Sequence, residues 1–173
     1  MSVLVFVENW DGKFKKLSFE LISYATRLAE MLNTKSVALS LGNVDSSELE
    51  KLGKYGASKI LNVHNEKLNI LDNQVYTSII ADMAKKEEAT IIVIANNNTG
   101  KAIAPRLSVK LKAGIGSGVS KLPLSTSPFV VYKKVFSGNA YADVVLKSDI
   151  KILTLSQNSF DITETNNSPV IEN

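Results

Sequence analysis

The stretch Thr90-Ile91-Ile92-Val93-Ile94-Ala95-Asn96-Asn97-Asn98-Thr99-Gly100-Lys101-Ala102-Ile103-Ala104-Pro105-Arg106 decides the fold. Five consecutive apolar residues, too few to span a bilayer, run into three asparagines, a Thr-Gly-Lys turn and an amphipathic segment. The pattern reads as buried strand, polar loop and helix. In an open parallel sheet, ligands gather at the carboxyl ends of strands, where loop amides and a helix N-terminus favour anions. Residues 96–101 therefore stand where such a sheet would hold one.

On the N-terminal side the same alternation repeats. Ser2-Val3-Leu4-Val5-Phe6-Val7-Glu8 is apolar on both faces and rich in β-branched residues, as a strand covered by helices on two sides should be. A turn-rich loop at residues 9–16 follows, and Leu17, Leu21, Ala25, Leu28, Ala29 and Leu32 then fall at helical spacing. Ser36-Val37-Ala38-Leu39-Ser40-Leu41 is a second strand broken by Gly42, and Asp45, Ser46 and Ser47 offer caps to a helix ending near Tyr55-Gly56-Ala57. Lys59-Ile60-Leu61-Asn62-Val63-His64 is a third, and Asp72 or Asn73 caps a helix whose face carries Val75, Ile79, Ile80, Met83 and Ala84. Strand and helix alternating four times predict an α/β fold: an open, doubly wound, mainly parallel sheet flanked by helices, with right-handed crossovers.

Beyond Lys112 the helical periodicity does not return. Ala113-Gly114-Ile115-Gly116-Ser117-Gly118 is too glycine-rich for a helix, and Pro123 and Pro128 interrupt the residues after it. Strands are expected at residues 129–136, 140–146 and 151–155, the first two joined by a tight turn at Ser137-Gly138-Asn139, as antiparallel additions in the C-terminal third. Residues 1–156 then form the α/β domain. Residues 157–173, where Phe160, Ile162, Val170 and Ile171 are the strongly apolar members, read as a linker or partner-binding tail.

Bulk composition excludes several classes. A chain of 173 residues, 45% apolar and 21% charged, suits one globular domain. Without cysteine there is no disulfide, no thiolate chemistry and no Cys-ligated metal, and one histidine, His64, cannot build a histidine metal site. The apolar start lacks a preceding basic segment and no run reaches transmembrane length, so a cytoplasmic protein without membrane insertion is expected. The net charge of +3 conceals a body through Ser156 with 20 basic and 14 acidic residues. Its lysines are scattered and lack interleaved aromatics, which argues for a solvated surface and against nucleic acid.

The candidate site is Asn98, Thr99, Gly100 and Lys101, a weak or vestigial phosphate loop. A working ATPase loop needs an earlier glycine and a hydroxyl after the lysine, and this sequence has neither. Asn98 or Thr99 as N-cap, Gly100 allowing close backbone approach and Lys101 as counter-charge would hold one phosphate, or merely start the helix. Pro105 places the regular helix start near Ala104. Trp10 and Phe14 stand at the same sheet edge, where they stack on a base or cover a core. Arg106 is expected in a structural ion pair. No nucleophile elbow, carboxylate pair or metal cluster marks a catalyst.

An ordered set of motifs carries a resemblance. Val3-Leu4-Val5-Phe6-Val7-Glu8 with Asp11-Gly12-Lys13, Lys54-Tyr55-Gly56-Ala57, Asn98-Thr99-Gly100-Lys101 with Ala104-Pro105-Arg106, and Ser137-Gly138-Asn139-Ala140 make the chain similar to the N-terminal domain of the electron transfer flavoprotein alpha subunit. The resemblance implies an adenine nucleotide alpha hydrolase-like fold acting as scaffold and docking domain. It implies a beta subunit as partner, FAD in a C-terminal half absent from these residues, AMP in beta, and no cofactor or catalytic residue in this domain. Electrons would pass from dehydrogenases to the respiratory chain. Gly116-Ser117-Gly118-Val119-Ser120 departs from the acidic or threonine-containing stretch more usual there. The alternative is a stand-alone adenine-nucleotide-binding module of the universal-stress-protein type. An ATP-pyrophosphatase is disfavoured, because residues 9–16 lack a Ser-Gly-Gly start.

Overall fold

A computed structural model describes residues 1–165 and 167–173. In chain order it forms β1 (Ser2–Phe6), a small hairpin of β2 (Asn9–Trp10) and β3 (Lys13–Phe14), α1 (Lys16–Met31), β4 (Lys35–Leu41), α2 (Ser46–Lys54), β5 (Lys59–Val63), α3 (Asn73–Lys86), β6 (Ala89–Ala95) and α4 (Asn98–Leu111). β7 (Gly114–Val119), β8 (Ser125–Thr126), β9 (Phe129–Val135), β10 (Ala140–Val145), β11 (Lys151–Leu155) and β12 (Val170–Glu172) complete the chain. The main sheet runs β10-β9-β7-β11-β6-β1-β4-β5-β12, with β8 on β9. From β7 to β12 every pairing is parallel, and β8, β9 and β10 add antiparallel pairings at one end.

Helices on both faces explain why the central strands are apolar throughout. Val3 and Val5 pack with Leu21 and Leu28 of α1 on one side, while Leu4 and Phe6 pack with Ile80 of α3 and Ile103 of α4 on the other. Ile92 and Ile94 of β6 are fully buried, so truncating either to alanine costs about 2–5 kcal/mol. From β1 the chain proceeds outward through β4 and β5, then returns to β6 on the other side of β1. The direction of winding therefore reverses between β1 and β6, the strand that opens the stretch that decides the fold.

Five local expectations change. β11 is not an antiparallel addition: it lies parallel in mid-sheet, between β6 and β7. The glycine-rich run forms strand β7, because an added Cβ on Gly116 would stand 3.0 Å from Leu153 and 3.2 Å from Val131; neighbouring side chains fill the space its own would take. The β9–β10 turn has four residues, with positive φ at Phe136, Ser137 and Gly138. α4 is continuous from Asn98 through Pro105, so the helix starts well before the expected Ala104. Arg106 donates to the Ala102 carbonyl at 2.6 Å, a backbone partner in place of the expected acid.

The C-terminal segment runs back across the molecule. The carboxylate of Glu20 on α1, 1% exposed, accepts the backbone N–H groups of Asn158, Ser159 and Phe160 at 3.0, 2.8 and 3.0 Å. Burying a lone carboxylate costs several kcal/mol, which charge-assisted bonds of about 1.5–3 kcal/mol each offset. The Thr163 N–H then donates to the Ser23 hydroxyl, and that of Thr165 to the Lys54 carbonyl. The Pro169 ring sits against Gly53, whose added Cβ would lie 2.3 Å from it. β12 finally pairs in parallel with β5, and Lys59 bridges Glu87 at 2.8 Å and Glu172 at 3.0 Å. Hydrogen bonds to those two carboxylates, Glu87 first, hold the Lys59 ammonium charged to higher pH than usual.

Candidate functional site

At the winding reversal β6 ends in Ala95 and α4 starts three residues later. Asn97, not Asn98 or Thr99, is the N-cap: its side-chain oxygen accepts the Gly100 N–H at 2.9 Å. Its amide nitrogen donates to Glu8 Oε1 at 2.7 Å, tying the helix start to the carboxyl end of β1. That tie selects one asparagine of three. Asn98, Thr99, Gly100 and Lys101 thus form the first turn of α4. Gly100 is buried, and an added Cβ would stand 1.7 Å from the Ala95 carbonyl oxygen, so the glycine lets the helix fold back directly over the strand end. Its N–H is engaged by Asn97, and the Lys101 N–H donates to the Asn97 carbonyl at 2.9 Å. The first is a capping bond and the second the opening i→i−4 bond of the helix, both made within the chain.

Beside this turn lies a cleft of about 420 Å³ over the ends of β1 and β4. Its volume falls in the range of small-molecule sites. Of the four candidate loop residues, only Thr99 lines it. Phe6 and Tyr76 meet edge to face in its lining, ring centres 5.9 Å apart. Trp10, 59% exposed, and Leu71, 47% exposed, form its rim, and Lys15 Nζ lies 3.9 Å from the centre of the Trp10 ring. Phe14, the other aromatic of this loop, is buried in the core on the α1 side.

The polar lining is acidic and amide-bearing. Glu8 and Asp11 contribute carboxylates, and Asn9, Asn43 and Asn69 contribute side-chain amides. Asn9 donates to the Leu41 carbonyl at 2.8 Å, and Asn69 accepts the Asn43 N–H at 3.0 Å, so these two shape the walls. The side-chain oxygen of Asn43 is enclosed and has no hydrogen-bond partner among the described residues. The Tyr76 hydroxyl donates to the Leu68 carbonyl; burial first, and then the charge of Glu8, push its pKa up. The field of Glu8 thus extends into the cleft.

Sequence reading named Trp10 and Thr99 and missed Glu8, Asp11, Asn43, Asn69 and Tyr76. The available signal was positional: Glu8 and Asp11 follow the first strand, whose carboxyl end must border the reversal point. His64 is exposed just beyond β5. Among the described residues no group of three or more His, Asp or Glu is placed to hold a metal ion, and no helix is long and apolar enough to cross a membrane.

The family model described as the electron transfer flavoprotein domain matches residues 3–173. The acryloyl-CoA reductase electron transfer subunit beta of Anaerotignum propionicum is 28% identical over 128 residues, covering 74% of this chain and 35% of that protein. The electron transfer flavoprotein subunit alpha of Clostridium acetobutylicum is 28% identical over 145 residues, covering 83% and 43%. The chain thus spans roughly a third to a half of the length of the curated relatives it matches. Among solved structures, a universal stress protein from Archaeoglobus fulgidus aligns with a TM-score of 0.45 and 15% identity, over 64% of this chain and 92% of that one. With its domain model running from residue 3 to residue 173, the chain belongs to the electron transfer flavoprotein domain family.

Proposed function

We propose that these residues are the N-terminal scaffold and docking domain of an electron transfer flavoprotein alpha subunit. The observation that carries this reading is the family match over residues 3–173. In it the domain pairs with a beta subunit in the cytoplasm and performs no redox step. FAD is held by sequence beyond these 173 residues, AMP by the beta partner, and electrons pass from dehydrogenases toward the respiratory chain. The first turn of α4, with Asn98, Thr99, Gly100 and Lys101, serves here as architecture. The cap and the first helical bond occupy the N–H groups of Gly100 and Lys101, which fits a scaffold better than a phosphate cradle. The stand-alone nucleotide-module reading needs a phosphate site, and the carboxylates of Glu8 and Asp11 in the adjoining cleft oppose it.

The test is to purify the chain alone and together with a beta-type subunit. Alone it should show no flavin absorbance, and together the two should co-elute as a one-to-one complex. Stoichiometric FAD on the isolated chain would overturn the cofactor assignment. Failure to form the complex, with both proteins folded, would overturn the docking role.

A further inference from the structure

A helix that flanks a sheet ordinarily turns its polar residues to water, yet Glu20 and Ser23 of α1 are 1% and 2% exposed. The C-terminal segment lies over them, and its contacts are those of a bound peptide. Backbone N–H groups make most of the polar ones: Asn158, Ser159 and Phe160 donate to Glu20, Thr163 to Ser23, Thr165 to the Lys54 carbonyl and Val170 to the Ser58 carbonyl. Two apolar side chains, Phe160 and Ile171, reach the core, Phe160 edge-on to Tyr24 with ring centres 5.3 Å apart. Pro169 fills the notch left by the missing side chain of Gly53. β12 joins β5 main chain to main chain, as an added strand does.

The layers beneath are complete without this segment. Val3, Val5, Leu21 and Leu28 join the sheet to α1, and Leu4, Phe6, Ile80 and Ile103 join it to α3 and α4. β12 is the last strand of the sheet and pairs only with β5, so its departure opens no interior layer. Release also returns the Glu20 carboxylate to water, which replaces the three N–H groups as its hydrogen-bond partners. We propose that α1, α2 and the edge of β5 form a peptide-binding groove, and that residues 158–165 and 167–172 are its built-in ligand, an autoinhibitory strap anchored at Glu20. The groove takes an extended segment with an aromatic residue at the place of Phe160 and a proline followed by β-branched residues at the places of Pro169, Val170 and Ile171. On this reading the partner of the C-terminal tail is the chain's own groove, whether or not the domain serves electron transfer.

The probe is a fluorescent synthetic peptide of residues 157–173, titrated against the full chain and against a full-length variant carrying Ser159→Pro and Ile171→Asp. Both substitutions lie in the strap: one removes an N–H that Glu20 accepts, the other an apolar contact, and neither alters the groove. A site filled from within shows an affinity reduced by the fraction of time it stands open, so the peptide should bind the variant at least about tenfold more tightly than the parent. Adding Glu20→Gln to the variant should weaken the peptide about tenfold, because an amide nitrogen then faces the N–H groups. With Ser159→Pro alone, amide exchange should quicken at residues 163–165 and 170–172 as well as at 158–160, and stay slow at residues 91–95. Equal affinity for parent and variant would overturn the proposal, as would no binding to the folded variant at millimolar peptide or an affinity unaffected by Glu20→Gln. Faster exchange confined to residues 158–160, or unfolding of the whole domain when the strap is released, would overturn it too.

Discussion

Replacing Gly100 by alanine places a methyl carbon 1.7 Å from the Ala95 carbonyl oxygen, where real Cβ atoms stay beyond 3.0 Å. The obstacle is backbone at the end of a mid-sheet strand, so no side-chain rotation relieves it. The start of α4 must retreat by about 1.3 Å, given those two distances. Retreat pulls Ile103, Ala104 and Leu107, 0–3% exposed, off the sheet and loosens the cap held by Asn97. Overpacking of this kind costs about 1–3 kcal/mol or more and a lost cap about 1 kcal/mol, against a gain of about 1 kcal/mol in helix propensity from glycine to alanine. The net expectation is a loss of about 1–3 kcal/mol, at about 2–4 °C in Tm for each kcal/mol in a domain of this size. Urea unfolding with an unchanged slope measures it without any ligand. Gly138→Ala is the control, because nothing lies within 4 Å of its added Cβ and its φ of +91° leaves only backbone strain. A Gly100→Ala protein as stable as the parent would refute the close-approach account and return Gly100 to consideration as a ligand residue.

Glu20→Gln should destabilise by about 2–3 kcal/mol, because an amide nitrogen then faces backbone N–H groups; hydrogen exchange should accelerate at residues 158–160. Asn97→Asp keeps a capping oxygen but sets a second carboxylate 2.7 Å from Glu8, so the variant should lose stability at pH 7 and regain it as the pair takes up a proton on acidification. Unfolding midpoints at pH 7 and pH 4 distinguish that from simple loss of the cap. The hydrogen bond from Lys59, with further help from the Lys86 charge, holds the Glu172 carboxyl below its usual range. A lowered folded-state pKa means that docking of β12 is at full strength above about pH 4.3, the unfolded value, and fades as pH falls through the folded one. Amide exchange at residues 170–172 should therefore be slow at pH 6 and, after correction for intrinsic rates, faster at pH 3. Phe136, 80% exposed at φ +50°, stands in a conformation costly for a bulky side chain, and Phe136→Asn should raise stability by about 1 kcal/mol in thermal unfolding.

The parts of the fold legible in the sequence are those fixed by local chemistry. Asp72, one of the two caps expected there, starts α3, its carboxylate accepting the N–H groups of Gln74 and Val75. The buried run before Asn96 forms β6 because a short stretch apolar on both faces belongs in the middle of a covered sheet. What escaped reading depends on residues far apart in the chain. Three consecutive asparagines are equivalent candidates for a cap until Glu8, 89 positions away, selects Asn97. The run from Gly114 to Val119 lacks the side chains of a strand, and it forms one because Leu153 and Val131 supply the packing. The local rule for Pro105 sets a helix start nearby, whereas the sheet beneath α4 keeps the helix continuous across it. The site divides similarly: Thr99 and Trp10 are visible as loop residues, whereas Asn43, Asn69 and Tyr76 join them only because elements distant in the chain converge on the end of β1.

The position of β11 bears on how the molecule is made. β6 and β7 are 18 residues apart across α4, yet they are not neighbours, because residues 151–155 lie between them. A chain emerging from the ribosome presents both flanking strands, and the β9–β10 hairpin, before the strand that joins them exists. Until then β6 and β7 expose mid-sheet edges, including the apolar edge of Ile91 to Ala95, the kind of surface on which nascent chains pair wrongly or aggregate. Cooperative closure of the sheet therefore waits for residues 151–155, and protection by chaperones matters most while residues 96–150 are being added.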